Sequence, residues 1–469
     1  MTSVDGAEVS RHSDETSCWI VIHGKVWDVT DFLHEHPGGT GVILKRAGRD
    51  ATEAYDEVHD ASLIEETLPA KRCVGRLADG TLIGKEETVK EPQPATSPIP
   101  PLNTIISVGD FERVAAQYLS SAGWAYYSSG ADDELSIADA RRLFGRITLR
   151  PRILRPVEPV SAVTDILGYH SSLPIYLSPT GLGKYAHKDA ENIIAASAGK
   201  EGIIYCMPTG SSHQAIFNSR VSSDQPLFFQ LYSNRDPERS KELIRKAERM
   251  GAAAVFVTVD TPVLGKREKD DRLRAAEGDD TLGDDAGGVA KVTSLSLLNP
   301  LLTWEDLKWM RDTTKLPIVL KGVQTVEDAV MAYESGVAGI VLSNHGGRSQ
   351  DTAQSPIITL LEIRRYAPHI LDRSSRHRFQ VFVDGGVRRG TDVVKALALG
   401  ATAVGIGRPV LYSMCGGYGE AGLRRMIGIF RAEIRTNMAL AGAANVDGLV
   451  PQMVNSERAE NEVSRRVKL

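Results

Sequence analysis

The spacing of apolar and polar residues divides the chain into three stretches. Residues 1–83 hold short strand-like runs, residues 84–104 lose apolar periodicity and gather prolines, and residues 105–469 repeat short apolar runs. This pattern predicts two folded domains, at 1–83 and 105–469, joined by a proline-rich linker. The linker suits either a hinge or a static strap packed on the second domain, and both interpretations stay open.

The second domain contains eight apolar runs of strand length. They are Pro174–Ser178, Gly202–Cys206, Leu227–Leu231, Ala253–Val259, Pro317–Leu320, Gly339–Leu342, Gln380–Val383 and Ala403–Ile406. Helical patterns lie between most of them, which indicates alternating strand and helix units. Eight such units predict an α/β TIM (β/α)8 barrel, whose active site forms at the C-terminal ends of the strands.

Polar or glycine-rich residues directly follow nearly every run. They are Pro179-Thr180-Gly181, Pro208-Thr209-Gly210, Tyr232, Asp260, Lys321, His345 with Arg348, Asp384-Gly385-Gly386 and Gly407-Arg408. At the last two ends, glycines beside Arg388 and Arg408 expose backbone N–H groups, as a phosphate site after strands seven and eight requires. Simple turn geometry is the alternative explanation for these glycines.

The sixth strand end, within Val341–Asp351, offers a candidate for catalysis. His345 can take up a proton near neutral pH, and Arg348 presents a planar fork suited to a carboxylate. Three residues apart beyond a strand, these side chains could hold an acidic substrate and deprotonate it. A structural turn is the competing interpretation of the same cluster.

The first domain offers a candidate metal site. Trp19–Val29 predicts two strands around a turn, and His36 and His59 each follow a predicted short helix. Two neutral imidazoles facing one apolar pocket would ligate a haem iron from both sides and leave no open position for oxygen, which suits electron transfer. Taken singly, each histidine would be an ordinary structural or surface residue.

Composition indicates the class of protein and the compartment in which we expect it. With 42% hydrophobic and 25% charged residues the chain has the make-up of a globular protein, and its net charge of −5 gives no reason to expect nucleic-acid binding. The four cysteines lack metal-ligand spacing, which predicts a reducing compartment. No apolar stretch approaches a membrane span, and early acidic residues argue against a targeting sequence. We therefore expect a cytoplasmic protein, with a peroxisomal location as the weaker alternative.

Residues 16–80 resemble the cytochrome b5 haem-binding family. The resemblance lies in Phe32-Leu33-His34-Glu35-His36-Pro37-Gly38-Gly39, in Asp50-Ala51-Thr52 and in His59. It implies an α+β domain in which His36 and His59 are the two axial ligands of a haem b iron. His23 and His34 match no ligand position of that family.

The second domain resembles the FMN-dependent 2-hydroxy-acid dehydrogenase and oxidase family from about residue 107 to Arg435. The matching motifs are Ala125–Gly130, Gln230-Leu231-Tyr232, Thr258-Val259-Asp260, Arg267-Glu268, Lys321-Gly322, Ser343–Arg348 and Asp384-Gly385-Gly386. The resemblance implies that FMN oxidises an L-2-hydroxy acid, such as L-lactate or a bulkier analogue like mandelate, to the 2-keto acid. Electrons would then pass to the haem and on to a soluble cytochrome c.

The family resemblance also implies roles for the catalytic and substrate-binding residues. His345 would take a substrate proton, Asp260 would stabilise the resulting imidazolium, and Tyr232 would hydrogen-bond the substrate hydroxyl. Tyr126 and Arg348 would bind the substrate carboxylate, and Arg267 would supply further positive charge nearby.

The cofactor contacts follow in the same way. Lys321 would stand beside the N1/O2 edge of the flavin, although a buried ion pair is its alternative. The other flavin contacts implied are Pro179, Thr180, Gly181, Pro208, Gln230 and Thr258. The residues implied around the ribityl chain and phosphate are Asp384, Gly385, Gly386, Arg388, Gly407 and Arg408.

Four positions depart from the family pattern. Ser349 stands where Gln is usual, and Pro208 replaces a Ser that often contacts the flavin. Gly181 and Gly210 stand where lactate-specific relatives commonly carry Ala and a bulkier residue such as Leu. Two missing side chains would enlarge the space around the substrate R group, so we expect bulkier 2-hydroxy acids to be accepted.

Two other functions compete with the dehydrogenase. One is an FMN oxidase that gives its electrons to oxygen and makes hydrogen peroxide, and the other is a non-catalytic haem electron carrier. The bis-histidine pattern argues against the oxidase, and the intact His345, Arg348 and Tyr126 set argues against the carrier. A homotetramer is a further implication of the resemblance.

Overall fold

The computed structural model describes residues 2–33, 36, 40–56, 59, 61, 63–78, 80–81, 98–211, 216–276, 298–465 and 467. Most of the predicted linker lies outside these residues. Among the described residues, no helix combines the length and the apolar character needed to cross a membrane. All four cysteines are free thiols.

The N-terminal domain is a five-stranded sheet with short helices. Its strands are β1 (Ser3–Val4), β2 (Ser13–Asp14), β3 (Ser17–Ile22), β4 (Lys25–Asp28) and β5 (Cys73–Leu77), in the order β1-β5-β4-β3-β2. Its helices are α1 (Gly6–Val9), α2 (Thr40–Leu44), α3 (Thr52–Asp56) and α4 (Leu63–Thr67). The predicted turn joins β3 to β4 through His23 and Gly24, which both have positive φ, as a tight two-residue hairpin requires.

Three helices and two small strand pairs frame the barrel. The helices are α5 (Val108–Tyr118), α6 (Ser121–Ser128) and α7 (Leu135–Arg146). Strand β6 (Thr148–Leu149) pairs with β17 (Val454–Asn455) near the end of the chain, and β7 (Thr164–Ile166) pairs with β8 (Tyr169–Ser171). The β7–β8 hairpin packs against the barrel interior through Ile166 and Tyr169.

Eight parallel strands form the closed barrel that the sequence predicts. They are β9 (Ile175–Leu177), β10 (Ile204–Met207), β11 (Leu227–Leu231), β12 (Ala254–Thr258), β13 (Ile318–Val323), β14 (Gly339–Leu342), β15 (Gln380–Val383) and β16 (Ala403–Ile406). The predicted barrel is confirmed, with strand limits that differ from the apolar runs by at most three residues. Tyr176, Phe228, Phe256 and Phe382 fill its interior with mutual ring contacts, so it is a packed core and not a pore.

Helices surround the barrel strands. They are α8 (Ala190–Glu201), α9 (Pro237–Arg249), α10 (Glu268–Ala276), α11 (Asp306–Thr313), α12 (Val326–Ser335), α13 (Pro356–Tyr366), α14 (Gly390–Ala398), α15 (Arg408–Met414), α16 (Gly419–Ala441) and α17 (Glu457–Glu460). Single-turn 3-10 helices occur at Thr30–Phe32, Ala70–Arg72, Leu102–Thr104, Gly183–Tyr185, Ile216–Ser219, Pro368–Leu371, Arg373–Ser375, Val446–Gly448 and Pro451–Met453.

Helix α16 offers a matched pair of glycines for testing how closely it packs on α15. A Cβ at Gly422 would collide with the Ser413 carbonyl oxygen, whereas a Cβ at Gly428 would meet no atom within 4 Å in the part of the chain that the structure describes. We expect Gly422→Ala to lower the free energy of unfolding by about 1–3 kcal/mol because of overpacking. Gly428→Ala should raise it by about 0.5–1 kcal/mol because alanine favours the helix. Denaturant unfolding followed by circular dichroism checks both, and equal effects would contradict this packing.

Candidate active site

The C-terminal ends of the barrel strands surround one cavity. The sequence-predicted residues that line it are Tyr126, Pro179, Thr180, Gly181, Pro208, Gly210, Gln230, Tyr232, Thr258, Arg267, Lys321, His345, Arg348, Asp384, Gly385, Gly386, Arg388, Gly407 and Arg408. Asp260 lies just behind this wall, against His345. Residues from all eight strand ends and from helix α6 therefore meet at one place.

His345 and Asp260 form a hydrogen-bonded pair at the centre of the wall. His345 lies three residues after the end of β14 and has a φ of 57°, an uncommon backbone conformation. Its Nδ1 lies 2.9 Å from Asp260 Oδ1. Burial lowers the pKa of His345 although Asp260 opposes the shift, so the imidazole is neutral at physiological pH. A neutral imidazole oriented by a carboxylate has the arrangement of a general base.

Tyr232 stands on the other side of the same imidazole. Its hydroxyl lies 3.4 Å from His345 Nε2, and the rings are stacked with their centroids 6.5 Å apart. Burial, reinforced by Asp260, raises the pKa of Tyr232 to about 12, so the phenol keeps its proton and can donate a hydrogen bond. A substrate hydroxyl between Tyr232 and His345 would meet one donor and one base.

Two arginines lie close to the Tyr126 ring in the same cavity. The Arg348 and Arg267 guanidinium carbons lie 4.7 Å and 5.8 Å from the centre of the Tyr126 ring. Arg267 is 4% exposed, and its Nε and Nη1 have no hydrogen-bond partner among the described residues. Burial, reinforced by Arg348, lowers the pKa of Arg267 to about 10. A bound anion would supply the missing acceptors, and a carboxylate matches the arginine fork.

Lys321 lies inside the cavity between two carboxylates. Its Nζ is 3.2 Å from Ser343 Oγ and 3.6 Å from Asp384 Oδ2. Burial alone would lower the pKa of Lys321, but Asp384 and Asp260 together raise it above the usual value. The ion pair considered from the sequence is therefore present, and the same ammonium group still lines the cavity.

Gln230 and Thr258 are tied together on adjacent strands. Gln230 Nε2 donates to Thr258 Oγ1 at 2.9 Å, and Gln230 Oε1 accepts from the Thr209 backbone N–H at 3.1 Å. The Thr209 hydroxyl in turn donates to the Gln230 carbonyl oxygen. Thr209 was not predicted as a site residue, yet it orients the amide that faces the cavity.

The remaining strand ends fit a flavin phosphate and ribityl chain. Gly385 and Gly386 have positive φ, and a Cβ at Gly386 would lie 2.6 Å from the Ala140 carbonyl oxygen, so this loop admits only glycine. Buried Thr180 Oγ1 and Asp384 Oδ1 have no hydrogen-bond partner among the described residues. Hydroxyl-rich and anionic FMN would supply such partners.

The two arginines predicted at the phosphate differ in their contacts. Arg388 lines the cavity and lies 3.5 Å from Glu112. The Arg408 guanidinium already donates to the carbonyl oxygens of Tyr127, Ser129 and Gly346 at 2.9 to 3.0 Å. The Arg408 side chain therefore fastens helix α6 and the histidine loop to the eighth strand end, besides facing the cavity.

The rings of His36 and His59 in the N-terminal domain lie close together, at an interplanar angle of 76°. The ring centroids of His36 and His59 are 6.2 Å apart, which leaves room for an iron ion with metal–nitrogen bonds of about 2 Å on each side. Burial, with added repulsion from His36 and Lys184, lowers the pKa of His59 to about 4 and keeps its imidazole neutral. The nearby apolar core includes Leu33, Ile43 and Ile64, as a haem requires. The residues present therefore fit a bis-histidine haem.

Some residues of the cavity were not predicted from the sequence. Leu264 and Leu298 add apolar surface, and Thr261 lines the cavity beside Asp260. Adjacency to Asp260 was the available signal for Thr261. Two of the four departures from the family pattern are Pro208, which lines the cavity, and Ser349, whose buried Oγ has no hydrogen-bond partner among the described residues.

Gly181 and Gly210 face each other at the cavity wall. A Cβ at Gly210 would meet no atom of the described residues within 4 Å, so this position borders open space among them. A Cβ at Gly181 would lie 2.9 Å from the Gly210 carbonyl oxygen and would displace it. The missing side chains thus leave room at Gly210 in particular.

Comparisons with known proteins agree with both domains. Residues 115–456 match the family described as FMN-dependent dehydrogenase, and residues 5–78 match the cytochrome b5-like haem/steroid binding domain. L-lactate dehydrogenase (cytochrome) of Wickerhamomyces anomalus is 38% identical over 97% of this chain and 80% of its own length.

Solved structures give the same result. A flavocytochrome b2 mutant with benzoylformate has a TM-score of 0.71 and 39% identity, covering 79% of this chain and 91% of its own. A mandelate oxidase mutant with (S)-mandelic acid has a TM-score of 0.65 and 34% identity, covering 75% of this chain and 98% of its own. The chain therefore belongs to the FMN-dependent dehydrogenases that join a cytochrome b5-like domain to the barrel, and its cofactors are FMN and haem.

Proposed function

We propose that the protein oxidises an L-2-hydroxy acid to the 2-keto acid and passes the electrons through its haem to a soluble cytochrome c. The observation that carries this proposal is that His345, paired with Asp260, lines one cavity together with Arg267 and Arg348. A base and an anion site in the same cavity suit a substrate whose reacting carbon is next to a carboxylate.

Each side chain of the cavity has its own role in this reaction. Arg348, Arg267 and Tyr126 bind the carboxylate, which fixes the reacting carbon relative to His345. Tyr232 donates to the substrate hydroxyl, and His345 accepts a substrate proton at Nε2. Asp260 stabilises the imidazolium through Nδ1. FMN, when bound, supplies the two-electron acceptor that hands electrons singly to the haem.

An anaerobic spectrum tests this function. Mixing the holoprotein with excess L-lactate or L-mandelate should bleach the flavin band and then reduce the haem. His345→Gln should slow flavin bleaching by about 100- to 10,000-fold because the base is lost, with both cofactors still bound.

The other outcomes separate the competing functions. Flavin bleaching without haem reduction would favour the oxidase, in which oxygen takes the electrons. Bleaching at the wild-type rate in His345→Gln would contradict the role of His345. Failure of both acids to bleach the flavin would support the carrier function.

We further propose that the substrate carries a bulky R group. Support comes from the open space at Gly210, and from the similar structures of a flavocytochrome b2 mutant with benzoylformate and a mandelate oxidase mutant with (S)-mandelic acid. Leu264 and Leu298 add apolar surface to the same cavity, which suits an apolar R group.

Gly210→Leu tests the substrate class. The added side chain should fill the open space and lower kcat/KM for L-mandelate by about tenfold or more, with a much smaller change for L-lactate. Gly210→Ala serves as the matched control, since one methyl group fills little of the space. An equal fall for both substrates would show that the residue acts on folding or flavin binding and not on the R group.

Lys184 supports electron transfer between the domains. Its Nζ donates to the carbonyl oxygens of His59 at 2.6 Å and Asp56 at 3.3 Å. The carbonyl belongs to a residue that faces the haem site, and Lys184 lies three residues after Gly181 in the flavin-side wall. We propose that this contact holds the haem domain where it receives electrons.

Lys184→Met should slow haem reduction by roughly tenfold and leave flavin reduction unchanged, since a charged hydrogen bond holding the domains is lost. Rapid mixing with substrate under anaerobic conditions follows both steps in one experiment. Lys308→Met, on an exposed face of α11, controls for the loss of a surface charge. Equal haem reduction in Lys184→Met and wild type would contradict the docking role.

Other features stay predictions. They are the homotetramer, the cytoplasmic location, and the domain limits 1–83, 84–104 and 105–469.

A further inference from the structure

Thr261 touches both members of the catalytic pair. Its hydroxyl lies 3.0 Å from Asp260 Oδ1 and 3.1 Å from His345 Nδ1, and those two atoms are 2.9 Å apart. Thr261 is 8% exposed, and it lines the cavity wall beside the histidine. The three polar atoms therefore form a closed triangle in which each lies within hydrogen-bond distance of the other two.

The number of hydrogen atoms available to the three polar atoms determines which of them donate and which accept. An ionised carboxylate only accepts hydrogen bonds, so the single hydroxyl proton of Thr261 goes to Asp260 Oδ1. The Thr261 oxygen can then accept only if His345 Nδ1 carries a hydrogen. In the opposite tautomer, the Nδ1 lone pair would face both Oδ1 and the hydroxyl oxygen, which is repulsive. The arrangement therefore favours the tautomer whose Nε2 lone pair faces the cavity.

The Asp260 carboxylate has few other hydrogen-bond partners among the described residues. Asp260 Oδ2 is buried without a hydrogen-bond partner among the described residues, whereas Oδ1 accepts from the Thr261 hydroxyl and lies 2.9 Å from His345 Nδ1. Gly322 approaches Asp260 so closely that a Cβ there would lie 2.5 Å from the carboxyl carbon. Packing by Gly322 limits the position of the carboxyl group, and the Thr261 hydroxyl directs one oxygen.

We propose that Thr261 is a positioning residue that sets the tautomer and proton affinity of the His345–Asp260 base. This inference rests on the proposed function and deepens it. The hydroxyl stabilises the state in which Asp260 is ionised and His345 is neutral, which is the state that accepts a substrate proton. Without the hydroxyl, the pair binds a proton more readily and is ready to accept one only at higher pH.

Other titratable groups lie close to the same pair and stay constant in the test. Lys321 from β13 affects the pKa values of both Asp260 and His345, and Arg267 before α10 affects that of His345. The Tyr232 hydroxyl, after β11, lies 3.4 Å from His345 Nε2. Burial raises the pKa of Asp260, but His345, Lys321 and the Thr261 hydroxyl lower it below its usual value. Because a threonine-to-valine change alters none of the charged neighbours, a shifted pH midpoint would report on the hydroxyl.

The test compares Thr261→Val, which keeps the shape and removes the hydroxyl, with Thr261→Ser, which keeps the hydroxyl. Flavin reduction by an L-2-hydroxy acid is followed anaerobically from pH 5 to 9 in the full-length holoprotein. Thr261→Val should reduce the limiting rate of flavin reduction about tenfold and leave KM within about threefold of the wild-type value. It should also move the midpoint of the acidic limb of the pH–rate profile upward by about one pH unit. Thr261→Ser should restore the wild-type midpoint.

A binding measurement keeps this inference separate from the proposed function. The product-like acids pyruvate and benzoylformate are titrated into the oxidised holoprotein, and the flavin absorbance change gives Kd against pH. The pH midpoint should move upward in Thr261→Val and not in Thr261→Ser, whether or not hydroxy acids are turned over. Absence of turnover with a shifted midpoint would count against the proposed reaction only.

Two outcomes would overturn the role of Thr261. One is a wild-type midpoint in Thr261→Val, which would mean that the hydroxyl does not affect the pair. The other is the same shift in Thr261→Ser and Thr261→Val, which would point to packing instead of the hydroxyl. If Thr261→Val fails to retain flavin, Thr261→Ala takes its place, with flavin and haem content measured from the spectrum before each titration.

Discussion

Closure of an eight-stranded parallel sheet brings every strand's carboxyl end to a single rim. Asp260 and His345 are 85 positions apart in the sequence, yet the barrel places them in direct hydrogen-bond contact. The barrel interior is filled by four aromatic rings, against which the β7–β8 hairpin packs. Barrel closure therefore decides where chemistry occurs before any catalytic residue is considered.

Within the rim, charge is distributed unevenly, and this separates the tasks of the residues. Lys321 lies between Asp384 and Asp260, so its charge is balanced inside the protein. Arg267 and Arg348 lie together over Tyr126, and burial lowers the pKa of Arg267 to about 10. Because buried charge without enough partners is costly, the arginine side of the cavity favours an anionic ligand. The side of the cavity at Lys321, where the positive charge is balanced by carboxylates, is suited to a cofactor.

The barrel could be predicted from the sequence because parallel strands buried on both faces are continuous apolar runs. Side chains at strand ends, such as His345 and Lys321, could be placed on the rim by the same rule. Thr261 and Lys184 could not, since their importance depends on neighbours brought close by folding. The side chain of Arg408 shows the same limit, because three carbonyl oxygens of distant segments occupy it.

One short segment after β9 links the two redox domains to the substrate site. It begins at Gly181 in the cavity wall, and Lys184 within it donates to the carbonyl oxygen of His59. The next residue, Tyr185, contacts the ring of Tyr126, which lies beneath the two arginines. Gly181 in the cavity wall is thus three residues from the contact with the haem domain. In the proposed function, substrate choice and electron delivery therefore depend on the same stretch of backbone, so its sequence has to satisfy both.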